Sequence, residues 1–395
     1  MLHFIDFHTH SAYSRGTSEK LYNIRETVKV AKRKGVTVLG SGDILHQKWR
    51  LHVQTSLTLN ETIDKVKILP TVEVDIGKVH TVIIFPEFKV VYDAYKVLSK
   101  YGNLEVGRPV LHCTPMDMIY ELITIDERIM FIPAHIWTSW FGVLGMRSGY
   151  NRIEEYYGDM SRYVYAIETG MSSNIIMNWR CGFLDKYFKF SSSDLHSPSS
   201  HRLGREATIF LSESDGFDYE EFWKYIRYGR DNKKKYDRIG TIEVPPEYGK
   251  YHLDGHRATR HENNIPYCTE YGTMCPICKK KLTIGVNHRI EDLATRPKGY
   301  IPMYPEYFSE LLPLEELIAV YKGYTSPNPE TFNIWKMMTK KIGTEYEILM
   351  VIDESELRRY VGEKFTKLII ANRKGNIKIE AGYDGQYGKI IGWTD

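Results

Sequence analysis

An α/β fold is predicted for the first 235 residues on three observations. Short β-rich runs alternate with amphipathic segments, histidines and carboxylates recur where the runs end, and 395 residues exceed what one core usually needs. Leu2 to Phe7, Thr37 to Leu39, Ile68 to Val74, Val79 to Phe85, Ile129 to Pro133, Tyr163 to Ile167, Phe188 to Ser191 and Ala207 to Leu211 read as strands. Ile24 to Lys34, Phe88 to Tyr101 and Met116 to Thr124 carry helical periodicity. The composition breaks at Arg230 to Arg238, and Pro245-Pro246 then leads into a Cys- and His-bearing stretch that reads as a small metal-stapled module. Beyond Pro302 the pattern turns helical at Leu314 to Tyr321 and Thr331 to Lys341, then strand-like at Tyr346 to Val351, and ends in the Gly-rich AGYDGQYG. The expected division is 1–235, 236–300 and 301–395.

A 42% hydrophobic and 26% charged chain is ordinary for a globular protein. No apolar run is long enough for a bilayer, and MLHFIDFHTH carries no leader pattern, so a cytoplasmic location is expected. The net charge of +3 decides little, whereas Lys233 to Lys235 and 29 tyrosines are compatible with nucleic acid. A lysine run is, taken alone, more often a solvated surface. Of five cysteines, Cys268, Cys275 and Cys278 are clustered, which suggests a metal in a reducing compartment rather than a disulfide framework.

Residues two apart on a strand face the same side, so Asp6, His8 and His10 in IDFHTH project together where the strand meets its loop. Asp43 ends TVLGSGD, Glu73 ends ILPTVE, His80 lies in KVHTVIIF, His135 ends MFIPAH, and Asp194 and His196 follow FKFSSS. Any one of these could be a satisfied polar residue, the reading kept for His112, His201 and His288. As a set they would be costly to bury unless a cation compensated them. Mixed imidazole and carboxylate suits Zn²⁺, Mn²⁺ or Fe²⁺ better than an all-oxygen cage for Mg²⁺ or Ca²⁺. Arg15 and Arg205 are candidates to hold phosphate oxygens.

In HTH at His8, Glu73, His135 and SDLH at Ser193, the chain resembles the polymerase-and-histidinol-phosphatase (PHP) superfamily. The resemblance implies a distorted (β/α)7 barrel and two or three divalent ions (Zn, Mn or Mg) that activate water against a phosphoester. It implies ligands at His8, His10, Asp43, Glu73, His80, His135, Asp194 and His196, with Asp194, His196 and Arg205 catalytic. The second motif departs from the common TDH, reading GDILH at Gly42, and leaves Asp43 and His46 as alternatives.

Cys275-Pro-Ile-Cys278 is half of a tetrahedral Zn²⁺ site, which Cys268 with His256, His252 or His261 can complete; His256 is the preferred partner. A redox CxxC is the rival, disfavoured by the absence of a βαβ context. KYHLDGHR, MCPICKKKLTIGVNHRIEDLA, LLPLEELIA and GYDGQYG, with IPAHIWTSWFGVLGMRSGY and AIETGMSSN upstream, are similar to the endonuclease Q family over nearly the whole chain. Two positions depart from its pattern: Ala258-Thr259 replaces a cysteine after DGHR, and Asn174 an aspartate.

That resemblance implies a DNA repair endonuclease cutting 5′ to hypoxanthine, uracil, xanthine or an abasic site, with base flipping. The aromatic segment Trp137 to Tyr150 is a candidate lesion loop, and Trp140, Lys279, Lys280, Lys281, Arg289 and Arg296 are candidate DNA contacts. A C-terminal helical and mixed region would clamp the duplex. No clamp-binding tail is read after Gly388, so a sliding clamp is compatible as a partner but not indicated. The alternative function is a small-molecule PHP phosphomonoesterase, and a binding-only scaffold is a further rival.

Overall fold

The computed structural model describes residues 1–58, 60–229, 237–256, 266–267, 272–275 and 278–394. Cys268, His261 and Lys233 to Lys235 lie outside the described residues. In chain order the strands are β1 (Leu2–Asp6), β2 (Val38–Gly40), β3 (Thr62–Ile63), β4 (Val66–Leu69), β5 (Thr71–Ile76), β6 (Val79–Ile84), β7 (Met130–Pro133), β8 (Ala166–Glu168), β9 (Phe188–Phe190), β10 (Ala207–Leu211), β11 (Ile239–Glu243), β12 (Asp254–Gly255), β13 (Pro266–Tyr267), β14 (Tyr307–Glu310), β15 (Ile377–Glu380) and β16 (Lys389–Trp393). The fold is mixed α/β.

A seven-stranded sheet runs β14-β11-β10-β1-β2-β4-β3. Its β1–β2, β2–β4 and β11–β14 pairs are parallel, and β1–β10 and β10–β11 are antiparallel. A second sheet, β5-β6-β7, is antiparallel, and β8–β9 is a parallel pair. The ladders therefore do not form the single parallel ring of a regular (β/α) barrel. One break falls at Pro70, between β4 and β5, where proline offers no amide hydrogen to a ladder.

Several sequence boundaries coincide with the observed elements. The helix Ile24–Lys34 is capped by the Asn23 side chain, which accepts from Arg25 N, and ends at Gly35 in the left-handed region (φ 102°). Tyr346 to Val351, expected as a strand, is instead a helical turn spanning Glu347–Val351. Its late carbonyls are collected by one guanidinium: Arg373 donates to Ile348 O, Leu349 O and Ile352 O at 2.7–2.9 Å. A strand pattern and a short buried helical turn share the same apolar run, and that distant arginine decides between them.

The C-terminal region is built into the first. β14 extends the main sheet, and one apolar core runs from Leu21 and Val28 through Leu317 and Trp335 to Leu368. Lys34 Nζ meets Glu345 Oε1 at 2.6 Å in the interior and also donates to Ser200 O. Glu345 accepts in addition from Leu314 N at 2.9 Å and Trp335 Nε1 at 2.5 Å. Among the described residues no helix is long and apolar enough to cross a membrane.

Two carboxyls, Glu206 and Glu243, are fully enclosed beside the sheet. Burial pushes Glu243 up to about 8 against the Ile175 N–H that it accepts, and burial with the neighbouring Glu243 raises Glu206 well above its usual range. The native state thus keeps protons that an unfolded chain releases near 4.5. The stabilising contribution of Glu243 is complete below that value and is lost as pH rises through about 8, and Glu206 acts in the same direction. Glu243→Gln is expected to flatten the fall of Tm across this window, measured by thermal melts at stepped pH; an unchanged slope would show that Glu243 is ionised in the native state.

Candidate metal centre and its cavity

His8 and His10 follow β1, Glu73 lies in β5, His80 in β6, His135 follows β7, and Asp194 follows β9. The strand-end loops are stitched by His10 N donating to Leu195 O and Leu195 N to His8 O, both at 3.1 Å. Three of the residues in these turns have left-handed backbone: Asp43 (φ 47°), His135 (φ 30°) and Asp194 (φ 47°). Non-glycine residues held there are strained, and the surrounding hydrogen bonds must fix them.

Glu73 is the hub. Its carboxylate lies 3.4 Å from His8 Nε2, 3.4 Å from His10 Nε2, 2.7 Å from His80 Nδ1 and 3.3 Å from His135 Nε2. Asp194 Oδ1 lies 3.4 Å from His8 Nε2, 3.3 Å from His10 Nε2 and 3.4 Å from His196 Nδ1. Yet Nε2 of His8 and of His10 and both ring nitrogens of His80 are buried with no hydrogen-bond partner. Close approach without hydrogen-bond angles, by nitrogens shut away from water, is what ligands converging on a common cation produce. His8, His10 and Asp194 form one group whose ligand atoms lie within 4.8 Å of one another, and Glu73, His80 and His135 form a second.

The electrostatics agree with this fit. Burial disfavours the charged form of Glu73, but the His80 and His8 imidazoles prevail and hold it well below the usual carboxylate range. Asp194 is likewise held down, against burial, by His196, His8 and His10. Burial alone would lower His10, and Asp194 and Asp43 instead raise it to about 9. The His8 and His10 imidazoles are basic because carboxylates surround them, and a divalent ion would take the place of those protons.

Asp43 does not join either group. Its carboxylate accepts from Ser11 N and Ser11 Oγ at 2.7 and 2.6 Å and from Ser14 Oγ, and faces His10 Nδ1 at 3.3 Å. With every side of the carboxylate occupied, it orients His10 rather than pointing into the cluster. His46 also stands apart: it caps the helix Gln47–Ser56 and stacks on Tyr13 at 3.7 Å.

Glu168, at the end of β8, takes the corresponding place behind His8. It faces His8 Nδ1 at 3.0 Å and accepts from His135 N at 2.7 Å. Arg108 Nη1 donates to Glu73 Oε2 at 3.1 Å from a loop where Gly107 passes so close that a Cβ would sit 2.5 Å from Asp43 Oδ2. A glycine in the loop after the helix Phe88–Leu98 is the one sequence sign of that approach. Glu168 follows a strand-like run as the other cluster residues do, whereas nothing local in the sequence marks Arg108 as a neighbour of the cluster.

A cavity of about 670 Å³ opens beside the cluster, with His135, Asp194, His196, Arg205, Trp140 and Tyr387 among its walls. Arg205 is buried: Nε and Nη2 donate to Ser193 O, and Nη1 to the Tyr387 hydroxyl at 3.2 Å. Of its five N–H groups two remain. Trp140 is 40% exposed under the Arg147 guanidinium, and Phe141 stacks on His80 at 4.4 Å.

The second metal candidate is smaller. His256, Cys275 and Cys278 bring their ligand atoms within 4.8 Å of one another, and His256 Nε2 lies 3.1 Å from Cys278 Sγ. His252 is elsewhere, its Nδ1 3.2 Å from Ser172 O. Lys279, Lys280 and Lys281 are exposed beside this group. Arg289 is instead buried, donating to Leu144 O, Tyr150 O and Asn151 Oδ1, and Arg296 pairs with Asp185 at 2.5 Å. Both arginines are thereby committed to internal contacts. Asn174 caps the helix Ile175–Trp179 and donates to Glu310 Oε1 at 2.5 Å.

No family model matches the chain. It is 30% identical over 224 residues to an uncharacterized protein of Methanocaldococcus jannaschii, covering 57% of this chain but only 28% of that one. It is 29% identical over 320 residues to uncharacterized protein YqxK of Bacillus subtilis, covering 80% of this chain and 74% of that one. The lesion-specific endonuclease of Pyrococcus furiosus superposes with a TM-score of 0.85 at 27% identity, over 99% of this chain and 95% of that one. Endonuclease Q in complex with a 27-mer duplex bearing an abasic lesion at the active site gives 0.86 at 27%, over 99% and 96%. Fold and site place this protein in the class of endonucleases. The similarity runs through the cysteine-bearing segment and the C-terminal region as well as the metal cluster. Over nearly its whole length the chain is similar to endonuclease Q.

Proposed function

We propose that this protein nicks DNA on the 5′ side of a damaged nucleotide, either an abasic site or a deaminated base such as hypoxanthine, uracil or xanthine. The observation that carries the reading is the doubled imidazole–carboxylate cluster beside a 670 Å³ cavity, on a fold shared end to end with a lesion-specific endonuclease. His8, His10, Glu73, His80, His135, Asp194 and His196 would hold two or three divalent ions (Zn, Mn or Mg). Such ions lower the pKa of a bound water and neutralise charge on the phosphate and leaving oxygen. Asp43 and Glu168 keep His10 and His8 aimed. Arg205 offers its two remaining N–H groups to phosphate oxygens, and Asp194 or His196, at the cavity edge, moves the proton to the leaving group.

The cavity is large enough for an extruded nucleotide, and Trp140 supplies a ring at its rim. One structural Zn²⁺ on His256, Cys275 and Cys278, with Cys268 as fourth ligand, would fix the turn that carries Lys279, Lys280 and Lys281 toward the duplex. Domains at 1–235, 236–300 and 301–395 then have the tasks of cutting, metal-stapled docking and clamping, in the cytoplasm.

End-labelled duplexes carrying hypoxanthine, uracil, an abasic site or no lesion, incubated with protein and Mn²⁺ or Mg²⁺, test this reading. A nick immediately 5′ to a lesion is expected. Hydrolysis of a generic phosphomonoester with every duplex intact would replace it with the phosphomonoesterase reading.

A further inference from the structure

Arg202, Lys250 and Tyr387 form a second charged wall of the cavity that the cutting chemistry leaves unused. Arg202 follows the Asp194–His196 loop, Lys250 follows β11, and Tyr387 comes from GYDGQYG near the end of the chain. That turn is tied back by Gly382 N to Glu247 O, Gly385 N to Lys250 O and Gly388 N to Tyr248 O, at 2.8–3.0 Å. Gly388 must be glycine, since a Cβ would fall 2.2 Å from Glu247 O. The phenol is thus fixed by backbone from two distant segments.

Three cations surround it. The Arg202 guanidinium lies 4.3 Å and the Lys250 ammonium 4.8 Å from the ring centroid, while Arg205 donates to the hydroxyl. Against burial, Arg205, Arg202 and Lys250 bring the Tyr387 hydroxyl down to about 8. The Arg202 and Lys250 head groups lie over the Tyr387 ring, and Arg202 Nη1 is buried without a hydrogen-bond partner among the described residues. Like charges gathered on a cavity wall, with an unsatisfied buried donor among them, repel one another until an anion joins them. A guanidinium fork, an ammonium and a phenolic O–H are together a donor set for a phosphate.

We propose that Arg202, Lys250 and the Tyr387 hydroxyl form a second phosphate subsite, holding the phosphodiester next to the scissile one on the strand being cut. The inference rests on the nuclease reading above. By fixing the strand at two consecutive phosphates, the subsite sets which linkage faces the cluster. These are positioning residues, acting on the strand and not on the reacting bond.

The test combines protein variants with single uncharged methylphosphonate linkages placed one at a time around an abasic site, using the metal-loaded full chain and reading KM and kcat for nicking. In the wild type, one linkage adjacent to the cut should raise KM about ten-fold, the scale of one charge-assisted contact. In Arg202→Gln that linkage should cost nothing further, while others cost what they do in the wild type. The slope of log KM against log salt should fall by about 1. Tyr387→Phe, which keeps the ring, should give part of the same position-specific loss, and Lys250→Gln provides the same cycle if Arg202→Gln misfolds. Losses that add at every linkage would show that the cluster only packs the turn, and would overturn the subsite while leaving the nuclease reading intact. Failure of the wild type to nick any lesion duplex would remove both.

Discussion

Glu73→Gln is expected to lower lesion-dependent nicking by at least about 10³-fold, since a metal site is worth several kcal/mol of transition-state stabilisation and each 1.36 kcal/mol is a decade. Glu73 touches four imidazoles and Arg108, and no other residue of the cluster is shared so widely. Gln keeps the shape but loses the charge, so both ligand groups lose their common anion. A second readout separates loss of metal from loss of fold. In the wild type, added Mn²⁺ at a hundred-fold excess over its Kd should stabilise the chain by about 2.7 kcal/mol, and a chelator should reverse this. Glu73→Gln should show almost no metal-dependent rise in Tm. A variant that still nicks at the wild-type rate would remove Glu73 from the metal centre.

Glu345→Ala is expected to destabilise the chain by about 3–5 kcal/mol, the cost of leaving one partner of an enclosed ion pair alone. Three donors lose their acceptor together: Lys34 Nζ, Leu314 N and Trp335 Nε1. Lys34→Met should cost less, because Glu345 keeps two donors and the methionine fills the lysine's volume. Denaturant titration would show the midpoint falling with an unchanged m value in both variants. Equal losses would mean that the ion pair alone, and not the acceptor shared by two helices, carries the effect.

The strand and helix pattern of the first 211 residues was largely legible because it is local. Ile24–Lys34 announces itself by an Asn cap, apolar spacing and a following glycine, and Ala207–Leu211 by an unbroken β-rich run. The cluster was legible because the chemistry fixes residue types and the strand ends fix their places. Asp43 illustrates the limit. An aspartate ending a strand reads alike whether it meets a metal or the imidazole behind one, and the contacts of Asp43 with Ser11 and Ser14 come from a loop that its own segment does not reveal. Arg108 and Tyr387 reach the site from loops with no periodicity, and their partners lie up to 182 positions away. Arg289 and Arg296 show the converse: in a basic stretch their types suggest a nucleic-acid surface, while the fold spends them on Leu144, Tyr150 and Asp185.

The GYDGQYG turn has a consequence for how this protein comes into being. Tyr387 forms a wall of the cavity whose ligands begin at His8. The cavity is complete only once segments far apart in the chain, one carrying His8 and one carrying Tyr387, have folded against each other, which makes its assembly a non-local and therefore late event of folding.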